Sequence, residues 1–237
     1  MTMLAAVGLP VTSIAFATAC ATPPSNCGAP PPPPVVAGGA GPGELVNLAD
    51  WLAAGRIRAV NRQVTASDGG AAVRVTAAAG NGLIWLEGTD FAEGIIEADV
   101  CGRNVDSESF LGIAFRGRDD KTFEAAYLRP FNFRASDAAR RGHAVQYIAE
   151  PDHDFSLLRQ KYPEEFEHAV DPSIVPTAWI RLRVVAHERR VQVFAGQGDT
   201  PALDVRSLPA PARGRVGLFV GNGSDGVFAN VGIVQGP

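Results

Sequence analysis

The sequence predicts an all-β fold, a sandwich of two antiparallel sheets, and three observations carry that expectation. From Glu44 onward, apolar and polar side chains alternate with period two in nine separate runs rich in Val, Ile, Phe and Tyr. Those runs are bounded by turn signals such as Asp119-Asp120 and Gly221-Asn222-Gly223, at spacings of about ten to twenty residues, which suit hairpins rather than strand–helix–strand units. Helical periodicity is scarce. With 46% hydrophobic and 19% charged residues in 237, the chain has ample material for a core.

The elements follow in chain order. Residues 3–19 (MLAAVGLPVTSIAFATA) are apolar or small, too short for a spanning helix, and end in Ala17-Thr18-Ala19, a small-residue cleavage signature. We read 1–19 as an export signal. Cys20 follows at once, as in bacterial lipoproteins, and is the expected lipid attachment point of a cell-envelope protein. Residues 20–43 hold no charge and a run of five prolines, Pro30 to Pro34, followed by a Gly-rich stretch. They read as a stiff polyproline spacer with a flexible end, a tether. A Pro-rich ligand for a groove-binding module is the other use of such a run. If Cys20 is lipidated, Cys27 and Cys101 remain to pair in an oxidising compartment; otherwise Cys20 and Cys27 could pair.

The folded domain is expected over 44–237. A short helix is predicted over Leu45–Ala54 and a second over Phe155–Phe166, broken at Pro163. The strand runs are 72–76, 94–100, 110–116, 123–129, 143–149, 179–186, 190–195, 215–220 and 227–234.

The net charge of −4, the absence of any Lys/Arg-rich block and a basic complement with only two lysines, Lys121 and Lys161, argue against a nucleic-acid partner. No zinc-ligand spacing, phosphate loop, nucleophile elbow or cofactor fingerprint is present.

The densest polar cluster lies in FRGRDDKTFEAAYLRPFNFR, residues 115–134. Alternation puts Phe123, Ala125, Tyr127 and Arg129 on one strand face and Glu124, Ala126 and Leu128 on the other. Tyr beside Arg on one face suits a binding groove: rings stack on sugars, and Arg or Asn bonds to vicinal hydroxyls or a uronate. Arg116, Tyr127, Arg129, Asn132, Gln146 and Tyr147 are the candidate ligand-binding residues on one concave face, with Glu124 and His153 near its rim as candidate catalytic groups. A cross-strand ion pair between Arg116 and Glu124 is the structural alternative. Adjacent Gln146 and Tyr147 cannot share a face without a bulge. The acidic loop Glu150 to Asp154 could hold a hard metal or an acid–base pair around His153, or simply be solvated. Asn222, Ser224 and Asp225 could hold calcium, but such residues favour turns for backbone reasons alone.

In their order, the pieces F91..G94.IEADV, SFLGIAFRG, TFEAAYLRP, W179..LRVV, GRVGLFVG and GVFANVGIV resemble the concanavalin A-like lectin/glucanase superfamily over Trp85 to Val234. The nearest likeness is to laminin-G-like and 3-keto-disaccharide hydrolase-like domains of exported bacterial proteins. The resemblance implies a jelly roll with one concave sheet, carbohydrate or glycoconjugate partners and, in some members, calcium. Glucanases of that superfamily carry Glu-x-Asp followed by an acid two or three places on. Here Glu97 and Asp99 are followed by Cys101 and Gly102, so the pair is incomplete; Glu97 and Asp99 are then expected in solvent, behind a core face of Ile96, Ala98 and Val100. Two functions stay open: a glycan-binding or surface-interaction module, and a glycoside-cleaving enzyme resembling the 3-keto-disaccharide hydrolases. A structural envelope domain without a small ligand is the third reading.

Overall fold

The computed structural model describes residues 27–33, 43–67 and 70–236. The proposed signal, Cys20 and most of the proposed tether lie outside these residues.

Among the described residues, fifteen strands form two antiparallel sheets. One has the order β13-β12-β11-β6-β15-β4-β3, with β1 also pairing β15. Its strands are β1 (Gly43–Val46), β3 (Val64–Ala66), β4 (Ala72–Val75), β6 (Gly94–Cys101), β11 (Ile180–His187), β12 (Arg190–Ala195), β13 (Leu203–Arg206) and β15 (Gly226–Gln235). The other sheet runs β10-β9-β8-β7-β14-β5-β2. It is built from β2 (Ile57–Val60), β5 (Gly82–Phe91), β7 (Leu111–Gly117), β8 (Phe123–Leu128), β9 (Val145–Glu150), β10 (Glu167–His168) and β14 (Gly214–Val220). Ile96, Ala98 and Val100 of the first sheet meet Ile113, Phe115, Leu128 and Val145 of the second in one buried core. That burial is the main stabilising term, and in the regular strands alternation fixes which residues supply it, while Leu48, Trp51, Phe133 and Leu158 join from helices and loops.

Helices are few and end where their chemistry dictates. α1 (Leu48–Ala53) is shorter than the expected Leu45–Ala54, because Leu45 and Val46 join β1 and Asn47 caps the helix through the backbone N–H groups of Ala49 and Asp50. α2 (Ala138–Arg141) is a single turn that the sequence pattern did not reveal. α3 (Phe155–Lys161) starts on Asp154, whose carboxylate accepts from the Leu157 N–H at 2.8 Å, and stops at Tyr162, ahead of Pro163.

Residues 27–33 do not stand clear of the domain. Cys27 is bonded to Cys101 at the end of β6, Trp179 Nε1 donates to the carbonyls of Cys27 and Gly28, and Asn230 Nδ2 donates to the Pro31 carbonyl at 2.7 Å. This stretch lies over the outer face of the eight-stranded sheet. There Asp99 is buried, 2% exposed, and bonded by Arg181 and Asn230, while Glu97 also meets Arg181. The expectation that Asp99 sits in solvent is corrected: it is buried beside the stretch 31–33, and two donors, Arg181 and Asn230, compensate the burial.

Candidate functional site

Alternation along β7, β8, β9 and β14 puts Gly112, Tyr127, Gln146, Ile148 and Phe219 on the outer face of the seven-stranded sheet. At one end of that face the ring of Trp85 fills the surface. A Cβ at Gly117 or Gly217 would stand 2.3 or 2.7 Å from it, so both positions must be bare. Its indole N–H donates to Asp120, which Arg58 grips with both terminal nitrogens, and Arg215 stacks on the ring at 4.8 Å. That end is closed.

The other end is open. A cleft of about 580 Å³ lies over Tyr127, Ile148 and Phe219, within the range of small-ligand sites. Its walls include Phe110 with Asp106, Phe131 with Asn132 and Arg140, Glu150, Asp154, Phe155 and Arg159 around the start of α3, and Asn81 and Asn222 from two neighbouring turns. The rings form a continuous aromatic surface. Tyr127 lies against Phe219 (centroids 5.0 Å), Phe110 against Tyr127 (6.2 Å) and Phe131 against Phe110 (5.4 Å). Tyr127 can lie flat over β7 because Gly112 offers no side chain; a Cβ there would be 2.5 Å from that of Tyr127.

At the floor stands Arg129, 4% exposed, on the residue after β8. Its guanidinium is 5.2 Å from the Tyr127 ring and 5.8 Å from those of Phe110 and Phe155. It donates to the Tyr127 hydroxyl (3.1 Å), Gln146 Oε1 (3.0 Å), the His143 carbonyl (3.0 Å) and Glu167 Oε2 (3.2 Å). Arg159 reaches across from α3 and clasps the same Glu167 carboxylate at 2.7 and 2.6 Å, and His143 Nε2 lies 3.3 Å from it.

The charges respond to this arrangement. Burial would raise the Glu167 carboxyl, but the hydrogen bond and charge of Arg159, with Arg129 and His143, win and hold it below its ordinary value. Burial lowers His143; the Glu167 charge partly opposes this, and the two arginines reinforce it. Burial raises the Tyr127 phenol, so it stays a neutral donor and acceptor. Glu150 is raised by burial first and then by the negative charge of Asp154.

The sequence candidates separate into three groups. Tyr127, Arg129 and Asn132 line the cleft, and Gln146 lies beneath it, orienting Arg129 while its amide donates to the Tyr147 and Phe166 carbonyls. Arg116, Glu124 and Tyr147 do not join them: all three turn into the space between the sheets. Arg116 Nη1 meets Glu124 at 3.1 Å, and the Tyr147 hydroxyl donates to the other carboxylate oxygen at 2.6 Å. Arg116 also donates to the carbonyls of Ala92 and Glu188. Arg116 departs from strand alternation because its φ of 51° marks an irregularity where the β7–β14 register slips. Glu124 and Tyr147 simply obey alternation. Glu124 therefore faces the interior, not the rim. His153 is half-buried in the turn after β9, its backbone paired with Ala149, and is not among the residues lining the cleft.

Among the described residues no group of three or more His, Cys, Asp or Glu side chains is placed to hold a metal. In the Asn222–Asp225 segment, read as a turn with calcium as the alternative, Asn222 accepts from the Gly80 N–H, Ser224 from the Phe110 N–H, and Asp225 pairs with Arg103 at 2.7 Å. Sequence reasoning missed Glu167, which sits on a two-residue strand too short to alternate, and the loop aromatics Phe110, Phe131 and Phe155. Charge could have pointed to Glu167: a buried arginine needs a carboxylate.

No protein-family model matches this sequence, and no curated protein does. Solved structures do resemble the fold. A Bacillus subtilis protein of unknown function described as having a galectin-like fold superposes with a TM-score of 0.54 at 12% identity, over 81% of this chain and 94% of its own. Carbohydrate binding module CBM66 from Bacillus subtilis gives 0.50 at 13%, over 76% and 92%. The exoplasmic/lumenal domain of VIP36, in its Ca2+/Man2-bound form, gives 0.51 at 13%, over 76% and 81%. At such identities the likeness is one of fold, and the fold is a jelly-roll sandwich of two antiparallel sheets.

Proposed function

We propose that this chain is a carbohydrate-binding module whose site is the cleft over Tyr127 and Phe219. The observation that carries the reading is the juxtaposition, in one open cleft of about 580 Å³, of stacked aromatic rings with polar groups around them. Sugars present apolar C–H faces and hydroxyl edges, and this surface offers a partner to each. Carbohydrate recognition by CBM66 and by the mannose-bound VIP36 domain supports the reading by analogy of fold. The test is a glycan array followed by calorimetry on the hits. Binding that falls at least tenfold in Phe131→Ala supports the site; undiminished binding in that variant places recognition elsewhere.

One observation favours a second reading, a glycoside-cleaving enzyme of the 3-keto-disaccharide hydrolase kind. Glu150 lines the cleft with its carboxyl held above the ordinary value, beside Asp154, as a general acid requires. Turnover of ordinary or oxidised disaccharides that Glu150→Gln abolishes would establish it. Export is part of the same proposal. The Cys27–Cys101 disulfide suits an oxidising compartment, and Cys20 is the proposed lipid site. Cys20→Ala should release the protein from the membrane fraction; unchanged partitioning refutes the anchor.

A further inference from the structure

Resting on the carbohydrate reading of the cleft, we infer that its ligand is a neutral, hydroxyl-rich saccharide, and that glycans carrying carboxylate or sulfate groups are excluded. The charges that line the cleft carry this inference. Arginines in a sugar site invite a uronate or a sulfate, but the two nearest the floor already have their anion. Arg129 and Arg159 both bond to Glu167, a carboxylate supplied by the chain itself, whose side chain is 4% exposed. The fork of Arg159 is spent on it bidentately, and the terminal nitrogens of Arg129 are each engaged twice, on four separate acceptors. Glu167 thus takes the arginine hydrogen bonds that the acid group of an anionic sugar would need.

The remaining cations offer little. His143 is pushed toward its neutral form, chiefly by burial. Arg140 is paired with Asp106 at 2.5 Å on the rim and bonds to Asn132. Glu150 and Asp154 are different: no Lys, Arg or His is within ion-pairing distance of either among the described residues. Asp154 spends one oxygen on capping α3 and keeps the other. A carboxylate in a cleft accepts hydrogen bonds from sugar hydroxyls, and charge-assisted bonds are the stronger kind. It repels a second anion. The site already penalises negative charge, since the Asp154 charge helps to raise the Glu150 carboxyl.

The experiment is a calorimetric and array comparison at neutral pH, using the whole protein. Neutral gluco-, manno- and galacto-oligosaccharides are set against uronate-containing and sulfated oligosaccharides of matched length. Tighter binding of a neutral member, by tenfold or more over every acidic one, is expected. Glu150→Gln should narrow that gap, by weakening the neutral ligand and relieving the repulsion, while melting no lower than the wild type, since burial and Asp154 already disfavour the charged Glu150. Equal or tighter binding of an acidic glycan, lost in Arg129→Lys, would overturn this inference and leave the carbohydrate reading standing. No binding by any saccharide of either class overturns the carbohydrate reading, and this inference with it.

Discussion

The seven-stranded sheet carries two buried Arg–Glu pairs, one on each face, and they have opposite meanings. Arg116–Glu124, capped by Tyr147, lies between the sheets and is closed on every side; its side chains are 1% and 5% exposed. Arg129–Glu167 lies on the outer face and is as deeply buried, at 5% and 4%, yet rings and polar groups around it open onto a cleft. Burial and pairing do not separate a packing device from a binding site. What separates them is whether the third neighbour is core or open space. Tyr147 and Tyr127 make the point, since each bonds to one pair, and only Tyr127 presents its ring to the cleft.

Removing the carboxylate from each pair is the sharpest way to break this comparison. Glu124→Ala strands a guanidinium between the sheets and should cost about 3–5 kcal/mol of stability. In a domain of this size that lowers the melting temperature by roughly 6–20 °C. Saccharide affinity of the folded protein should not change. Glu167→Gln should cost less, about 2–3 kcal/mol, because Arg159 is 40% exposed and can return to water. It should also weaken saccharide binding about tenfold, because Arg129 loses one of its four restraints. Thermal melts and calorimetry on both variants check the contrast. If Glu124→Ala weakens binding as much as Glu167→Gln, the two faces are not independent.

Smaller changes sharpen it further. Arg129→Lys keeps the charge but loses the planar fork that meets Tyr127, Gln146 and Glu167 together, so affinity should fall several-fold with a stability loss of about 1–2 kcal/mol. Tyr147→Phe removes one charge-assisted hydrogen bond in the interior and should cost about 1.5–3 kcal/mol without touching affinity.

Acid provides the gentlest test. The folded Glu167 carboxyl titrates below its ordinary 4.5, so its stabilisation is fully present above that pH and is lost as pH falls through the lower folded value. The difference in melting temperature between wild type and Glu167→Gln should therefore be constant at neutral pH and shrink only below about 4.5. A gap independent of pH down to complete protonation would contradict the pairing.

Much of this architecture was legible as periodicity. The runs 94–100, 123–129 and 227–234 overlap β6, β8 and β15 closely, because a strand with one buried face writes its register into the sequence. Pro163 marked the end of α3. Tyr127, Arg129 and Asn132 were readable as cleft residues because Tyr127 lies on a regular strand and the other two follow directly. Arg116 was misread for a backbone reason, a single left-handed residue that reverses its direction and that no side-chain pattern records. Charge says that a buried Arg129 needs a carboxylate but not which one: nothing local brings residue 167 beside residue 129, and only the pairing of β10 with β9 does. Trp85 belongs to a strand whose first five residues are all buried, so no alternation betrayed it.

The central claim is that recognition occurs on one face of one sheet, over Tyr127 and Arg129. An amide NMR titration with the tightest-binding neutral oligosaccharide from the array tests it most directly. Perturbations are expected at Phe110, Tyr127 to Asn132, Glu150 to Phe155 and Phe219, with Arg116 and Glu124 unmoved. Perturbations centred instead on Asp99, Arg181 and residues 31–33 beside them would contradict it, and would put the site on the opposite side of the sandwich.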